Sequence, residues 1–200
     1  MEDAAGAVGA LLRERTGHFL LESGHHGELW LELPRLYLRP ERVTPLGAAL
    51  ARRLEAHAIE AVCGPLVEGA FVALQVAAEL GVPFTYAGPL PPSDRPGLFP
   101  CAYRVPGPLR ADLRGRRTAI VNDVINAGSA VRGTYEDLLA CGARPVVIAA
   151  LLVLGEASGA LAAARGVALE TLAVRPNQLW EPAACPLCRA GVPLEDPAGG

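Results

Sequence analysis

A buried strand, a short loop of small residues and a helix follow one another between residues 117 and 143. The apolar, partly β-branched run 118–121 suits a strand inside a parallel sheet, and Asn122 and Asp123 stand at its carboxyl end. A loop of small residues (125–129) then leads into the helix. Unpaired amides at a helix start carry partial positive charge and can bind phosphate, and a preceding acid can bind ribose hydroxyls or a metal. The pattern indicates a sugar-phosphate site, although similar turns in other α/β proteins bind nothing.

The segment 59–87 repeats this arrangement, with a short strand at 59–63, a loop at 64–69, a helix at 70–80 and a strand beginning at 84. Strands that alternate with helices predict an α/β fold, a parallel sheet wrapped by helices on both faces. Ligands of such sheets bind beyond the carboxyl ends of the strands. Because both loops lie at such ends, the sequence predicts one site with two anionic subsites.

The flanking segments predict smaller units. Residues 4–15 and 42–57 are expected to be helical, and strands at 18–21 and 28–33 are joined by a turn at 23–27. In the second of these strands leucines alternate with Glu and Trp, which predicts one buried face. The stretch 88–115 is rich in Pro, Gly and Arg without a period, and so long a loop is usually functional or mobile.

Composition excludes several other classes of protein. A 200-residue chain with 51% hydrophobic residues, a mean hydropathy of +0.28 and a net charge of −3 fits a single globular domain without a nucleic-acid-binding surface. The longest apolar run, 146–154, is about half of the ~20 residues that span a bilayer. The N-terminus lacks the basic region of a signal peptide, so we expect a cytoplasmic protein with no membrane partner.

Cysteine and lysine usage add two further points. The five cysteines are an odd number, which favours free thiols over a disulfide framework. Cys185 and Cys188 form a CxxC pair that could contribute to a zinc site, completed by a second chain, by Cys101, by Cys141 or by a histidine. The alternative is a pair of thiols in a proline-rich tail. All 18 basic residues are arginine, so the chain has no lysine.

Four segments together resemble the orotate phosphoribosyltransferase family. They are GHFLLESGHHGELWLEL, VCGPLVEGAFVALQVAAELGVPF, AIVNDVINAGSAVRG and CPLCRAGVPLE. The resemblance implies a type I phosphoribosyltransferase fold in one domain, with a small N-terminal hood (1–40), a core (41–175) and a tail (176–200). It also implies a homodimer that uses Mg²⁺ to transfer phosphoribosyl from phosphoribosyl pyrophosphate (PRPP) to a pyrimidine base, orotate.

The resemblance also assigns roles to individual positions. Asp123 would steady the ribose, and Arg104 would replace a catalytic lysine. The ribose and 5′-phosphate would be bound by Asn122, Asp123, Asn126, Ala127, Gly128, Ser129 and Ala130. The pyrophosphate loop would be Leu66, Val67, Glu68 and Gly69. The base would lie near Ser23, Gly24, His26 and Gly27, although His25 and His26 could equally be exposed turn residues.

Four departures from the family pattern leave a second function open. Asn122 replaces the first of two acids, the phosphate loop is poor in hydroxyl groups, Glu68 places a carboxylate in the pyrophosphate loop, and 88–115 lacks the lysines and histidine of the catalytic loop. Within 88–115 the cations are Arg95, Arg104, Arg110 and Arg114. The alternative is a catalytically degenerate paralogue that binds PRPP or a nucleotide and regulates or partners another protein.

Overall fold

A six-stranded, mostly parallel sheet forms the centre of the protein. The computed structural model describes residues 3–91 and 97–197. The strands are β3 (Ala61–Pro65), β4 (Phe84–Pro89), β5 (Tyr103–Arg104), β6 (Arg117–Ile125), β7 (Arg144–Leu154) and β8 (Ala168–Arg175), in the order β5-β4-β3-β6-β7-β8. All neighbours are parallel except β5, which runs antiparallel to β4. The predicted α/β architecture is therefore confirmed.

Helices cover both faces of this sheet. They are α1 (Asp3–Leu11), α2 (Pro40–Leu54), α3 (Glu68–Leu80), α4 (Ser129–Ala140) and α5 (Ala157–Arg165), while the short α6 (Pro186–Arg189) lies in the tail. One apolar cluster joins α2 and α3 to the sheet, and a second joins α4 and α5 to its other face. Successive residues of a strand point to opposite faces, so Val121 lies in the first cluster and Ile120 in the second. An apolar run without alternation therefore suits β6.

A separate three-stranded sheet, which we call the hood sheet, is built from both ends of the chain. It has the order β1-β2-β9, with β1 (Glu14–Leu20) and β2 (His26–Leu31) from the N-terminal part and β9 (Leu179–Trp180) from the tail. In β2 the residues Leu29 and Leu31 are buried while Glu28 is exposed, which confirms the predicted alternation. The tail therefore belongs structurally to the hood sheet.

Several element boundaries differ from the sequence-based expectations. The first helix ends at Leu11, because residues from Glu14 onward pair with β2. Strand β6 continues to Ile125, so Asp123 lies inside the strand and not beyond it. The segment expected to be one long loop contains β5 and two 3-10 turns (Gly107–Leu109 and Ala111–Leu113), while Arg95 lies outside the described residues. A two-residue strand made by tertiary pairing leaves no periodic signal in the sequence.

None of the helices among residues 3–91 and 97–197 combines the length and apolar character required to cross a membrane.

Candidate active site

A cleft opens at the carboxyl ends of β3 and β6, and we call it the central cleft. The loop after β3 and the loop after β6 face each other across it, and the turn of the hood sheet closes one side. Its lining includes Leu21, Glu22, Ser23, Leu66, Val67, Glu68, Gly69, Tyr103 and the whole segment 122–131. The structure thus brings the two predicted anionic loops and part of the hood turn to one place.

Asp123 is the buried acid of the central cleft. Its side chain is only 2% exposed, and its Oδ2 atom has no hydrogen-bond partner among the described residues. Burial raises the pKa of the Asp123 carboxyl to about 7, a hydrogen bond from the Val124 backbone amide opposes that rise, and the nearby charge of Glu68 adds to it. A buried carboxyl with a free oxygen is suited to accept hydrogen bonds from a ligand.

The loop after β6 presents the start of α4 to the same cleft. Gly128 precedes the helix with φ of +82°, a left-handed conformation that glycine adopts without steric cost. Ser129 opens the helix, and its buried Oγ makes no hydrogen bond within the described part of the chain. The amides of the first helical turn are unpaired by geometry and carry partial positive charge. Together with the Ser129 hydroxyl they form an anion-binding cradle.

The loop after β3 is held from both sides. The Leu66 amide donates to the Ala87 carbonyl at 2.8 Å, and the Tyr37 hydroxyl donates to the Glu68 carbonyl at 2.8 Å. The Leu66–Val67 peptide is cis. A Cβ at Gly69 would collide with the Asn122 side-chain oxygen, so only glycine fits there. The end of this loop and the first turn of α3 therefore pack directly against β6, the strand that carries Asp123.

The two asparagines assigned to the ribose and phosphate use their side chains within the protein. Asn122 is buried, and its Nδ2 donates to the Val124 carbonyl at 2.9 Å. Asn126 Oδ1 accepts from Asn177 Nδ2 at 2.9 Å, which ties the loop to the segment after β8. Both residues line the central cleft, but in this structure their side chains are partly occupied by these contacts.

The hood turn differs from the expectation for base binding. Ser23 is buried and lines the central cleft, where its Oγ accepts from the His25 amide at 3.4 Å. Gly24 has φ of +80° and closes the turn, which explains why glycine stands there. The expectation that His26 lies near the base is not met, because His26 lines neither of the clefts described here. It begins β2, is 5% exposed, and its Nδ1 lies 3.0 Å from His18 Nε2. Strand alternation turns His26 to one face and leaves its neighbour, His25, beside the cleft.

A second opening adjoins the first through Ala127, and we call it the side cleft. His25, Phe99, Arg132 and Glu181 line it. The Arg132 guanidinium lies 4.5 Å from the centre of the Phe99 ring, and its buried Nε has no partner in the residues described. Burial lowers the pKa of His25, and the charge of Glu181 opposes that shift. The side cleft therefore combines a cation, an aromatic face and an imidazole.

Sequence reasoning missed four residues of these clefts. Tyr103 lines the central cleft and donates its hydroxyl to Glu22 Oε1 at 2.6 Å, while Phe99 and Arg132 line the side cleft. The position of Arg132 carried a usable signal. It lies three residues after Ser129, and residues three apart share one side of a helix. Phe99, Tyr103 and Glu22 carried none, because they meet only in the tertiary structure.

The basic residues of the 88–115 segment are dispersed. Arg104 is exposed on β5, where strand alternation turns Tyr103 and not Arg104 toward the cleft. Arg110 Nη1 donates to Asp137 Oδ2 at 2.6 Å and is therefore paired. Arg114 is exposed. The catalytic role of Arg104 stays a prediction, and this arrangement of the segment does not bring its guanidinium to Asp123.

The carboxylates of the central cleft suit a hard divalent cation. Asp123 and Glu68 are close enough for the charge of Glu68 to raise the pKa of Asp123, and one Asp123 oxygen is free. Mg²⁺ prefers oxygen ligands and commonly combines one or two carboxylates with substrate phosphates. The donor set therefore fits magnesium. Cys185 and Cys188 are not part of this cleft and lie beside His18 and His26.

The amino-acid sequence is similar to those of proteins named orotate phosphoribosyltransferase. The chain is 30% identical over 197 residues to an orotate phosphoribosyltransferase of Thermotoga maritima, covering 95% of this chain and 92% of the relative. It is 32% identical over 192 residues to an orotate phosphoribosyltransferase of Thermus thermophilus, covering 94% of each. No protein-family model matches the chain.

Solved structures agree on the fold. The orotate phosphoribosyltransferase from Aeropyrum pernix superimposes with a TM-score of 0.62 at 23% identity, covering 86% of this chain and 92% of that one. The adenine phosphoribosyltransferase from Trypanosoma brucei gives a TM-score of 0.67 at 18% identity, covering 86% and 79%. These neighbours confirm the predicted type I phosphoribosyltransferase fold.

Proposed function

The chain belongs to the orotate phosphoribosyltransferase family, and we propose that it transfers phosphoribosyl from PRPP to orotate in pyrimidine nucleotide synthesis. One observation carries this proposal. The buried Asp123 carboxyl, whose Oδ2 has no partner among the described residues, and the unpartnered Ser129 hydroxyl share a cleft with a helix start and a second loop. A sugar with a phosphate at one end and a diphosphate at the other complements that arrangement.

The 5′-phosphate would bind in the cradle at the start of α4. Backbone amides of Ala127, Gly128 and Ala130 and the Ser129 hydroxyl would donate to it, which compensates for the scarcity of hydroxyl side chains in the loop. Asp123 would accept hydrogen bonds from the ribose hydroxyls. The transition state of glycosyl transfer is oxocarbenium-like, so an ionised Asp123 would also stabilise positive charge on the ribose.

The diphosphate would bind along the loop 66–69, where the carboxylate of Glu68 alone would repel it. We propose that Glu68 and Asp123 would hold Mg²⁺ here, and the bound ion would supply positive charge toward the departing diphosphate. Among the described residues no lysine can serve that purpose, since the chain contains none. Arg104 is our candidate for the cation that replaces it, and it would have to move with its segment when substrate binds.

The base would occupy the side of the cleft between the hood turn and Arg132. Orotate carries a carboxylate, and Arg132 has a buried Nε without a partner in the described chain. Phe99 holds the guanidinium by a cation–π contact at 4.5 Å and so fixes its direction. Ser23 in the central cleft and His25 in the side cleft supply further hydrogen-bonding groups. The positive charge at this point favours an acidic pyrimidine over adenine.

We further propose that the protein acts as a homodimer. Val67, Phe71 and Leu74 are spaced by four and three residues and form an apolar stripe along α3, with exposures of 56%, 46% and 52%. Leu38, 73% exposed, extends the apolar character of this region, and Tyr37 packs against Phe71 with ring centres 5.0 Å apart. A second copy would cover this surface, and Phe71→Arg should shift the mass in light scattering from dimer to monomer.

The expected compartment is the cytoplasm. None of the five cysteines, all within the described residues, forms a disulfide, which fits a reducing environment.

Turnover decides between the enzyme and a degenerate binding protein. Purified protein mixed with orotate, PRPP and Mg²⁺ should consume orotate, measured by loss of its absorbance. Asp123→Asn should lower kcat about 100-fold, because a charge that stabilises the transition state is removed. The matched control is Asp112→Asn, which removes the same charge from an exposed position. No turnover, together with a rise in melting temperature on adding PRPP, would favour the binding protein.

A further inference from the structure

Four side chains that commonly bind metals converge outside both clefts. They are His18 in β1, His26 at the start of β2, and Cys185 and Cys188 in the tail. Their ligand atoms all lie within 4.8 Å of one another. The two histidines and Cys185 are buried, while Cys188 is exposed. Because the histidines of the β1–β2 hairpin and the cysteines of the tail stand more than 150 residues apart in the chain, their convergence is a property of the fold.

Four of the distances between the ligand atoms fit a tetrahedral zinc site. Zinc bonds of about 2.0–2.1 Å to nitrogen and about 2.3 Å to sulfur imply nitrogen–nitrogen distances of about 3.3 Å and sulfur–nitrogen distances of about 3.6 Å. The two ligand nitrogens, His18 Nε2 and His26 Nδ1, are 3.0 Å apart. Cys185 Sγ lies 3.4 Å from His18 Nε2, and Cys188 Sγ lies 3.7 Å from His18 Nε2 and 3.3 Å from His26 Nδ1. Each of these four distances is within about 0.3 Å of the tetrahedral value, and all the ligand atoms lie within 4.8 Å of one another.

A hydrogen bond orients His18 for this role. The ring Nδ1 lies 2.9 Å from the Val192 carbonyl oxygen, which can only accept, so Nδ1 carries the proton. The other nitrogen, Nε2, then keeps its lone pair and faces the two sulfurs and His26. Histidines that bind zinc use the second ring nitrogen in this way, donating to a carbonyl or carboxylate that fixes the ring.

We propose that His18, His26, Cys185 and Cys188 bind one zinc ion. Two thiolates and two imidazoles form a donor set that zinc prefers, and four protein ligands complete its tetrahedral shell. The ion would therefore be structural, with no position left for substrate. It would join the β1–β2 hairpin to the tail beside the backbone pairs Glu195 N to His18 O and Leu20 N to Glu195 O, both 2.8 Å.

The site would also fix the turn of the hood sheet. His18 and His26 bracket the turn that carries Ser23, which lines the central cleft. Zinc binding would therefore hold both ends of this turn, although the cleft itself contains none of the four ligands. The zinc proposal does not depend on the reaction that the cleft catalyses, and it is tested without measuring turnover.

The main test is the metal content and spectrum of the full-length, untagged protein. Purified under reducing conditions without chelator, it should contain one zinc per chain by mass spectrometry of the metal. Replacement by Co²⁺ should give intense visible d–d absorption and thiolate-to-metal charge transfer, the signature of a tetrahedral site with two sulfurs. Wild-type protein that neither contains zinc nor takes up Zn²⁺ or Co²⁺ after reduction would overturn the proposal, as would a Cys185–Cys188 disulfide that persists under reduction.

Matched variants identify the ligands. Cys188→Ser and His26→Gln should lose the metal, whereas Cys101→Ser and His57→Gln should retain it, since the latter pair removes the same residue types outside the cluster. Cys188 is the preferred ligand variant because its side chain is exposed and its loss disturbs packing least. Equal metal content in the ligand and control variants would refute the assignment.

Hydrogen exchange provides a second measurement, which distinguishes a zinc site from four side chains that pack together without a metal. Removal of zinc with a strong chelator should increase exchange in β1, β2 and the tail while leaving β6 and β7 protected. Unchanged exchange in the hairpin and tail after complete metal removal would contradict the structural role.

Discussion

The buried carboxyl of Asp123 should make stability depend on pH in a way that one substitution removes. Its ordinary pKa of 3.8 is raised to about 7 in the folded protein, chiefly by burial. A carboxyl with a raised pKa holds its proton in the folded state after the unfolded chain has released it. Its contribution to stability is therefore fully present below about pH 4 and is lost as the pH rises through about 7.

The size of this effect follows from the two pKa values. They differ by about 3 pH units, and each unit corresponds to about 1.4 kcal/mol, so the free energy of unfolding should fall by roughly 4 kcal/mol between pH 4 and pH 8 on account of this group. Asp123→Asn keeps the shape of the side chain but cannot ionise. Relative to wild type, the variant should therefore gain roughly 4 kcal/mol over the same range.

Urea denaturation of both proteins at half-unit steps of pH, without PRPP or Mg²⁺, measures this difference. Asp112→Asn is the control, because its carboxyl is exposed and the same change in charge is made. A difference between wild type and Asp123→Asn that stays constant within about 1 kcal/mol from pH 4 to pH 8 would refute the reasoning, since Asp123 would then ionise alike in both states.

Three further substitutions test the clefts. Gly69→Ala should lower stability by about 1–3 kcal/mol and raise the KM for PRPP, because the new Cβ collides with Asn122; Gly159→Ala, at an exposed helix position with open space around it, should cost nothing in parallel urea titrations. Arg132→Lys should raise the KM for orotate about tenfold in steady-state assays and leave the KM for PRPP unchanged, whereas equal effects on both would exclude a base contact. Arg104→Ala should lower kcat about tenfold or more, and an unchanged kcat would show that Arg104 is not the replacement cation.

Much of the fold could be predicted because strong local patterns carry it. The apolar run of β6, the leucine spacing of α2 and the small-residue loop before α4 each predict one kind of element, and their alternation predicts a parallel sheet. The position of the site followed from the same rule, since both loops come at carboxyl ends of strands. The place of Asp123 in the central cleft also followed, because the residue stands near the carboxyl end of β6. Its catalytic role stays a prediction.

Other features were inaccessible to sequence reasoning. Strand β5 has two residues and exists because it pairs with β4, so it leaves no periodic signal. His25 and His26 are adjacent in sequence, and only the register of β2 decides that His26 is buried while His25 borders the side cleft. The contact between Arg132 and Phe99 joins two segments more than thirty residues apart.

The cysteine pair illustrates the difference between what a local sequence pattern predicts and what depends on tertiary contacts. The spacing of Cys185 and Cys188, which suits a pair of metal ligands, is visible in the sequence because it involves only four neighbouring residues. The approach of His18 and His26 to these cysteines depends on tertiary structure, because the pairing of β9 with β2 and of Glu195 with β1 brings the tail beside the hairpin. Local periodicity depends on neighbouring residues and can be recognised in the sequence. The side chains of a binding site are instead brought together by packing between segments that are distant in the chain.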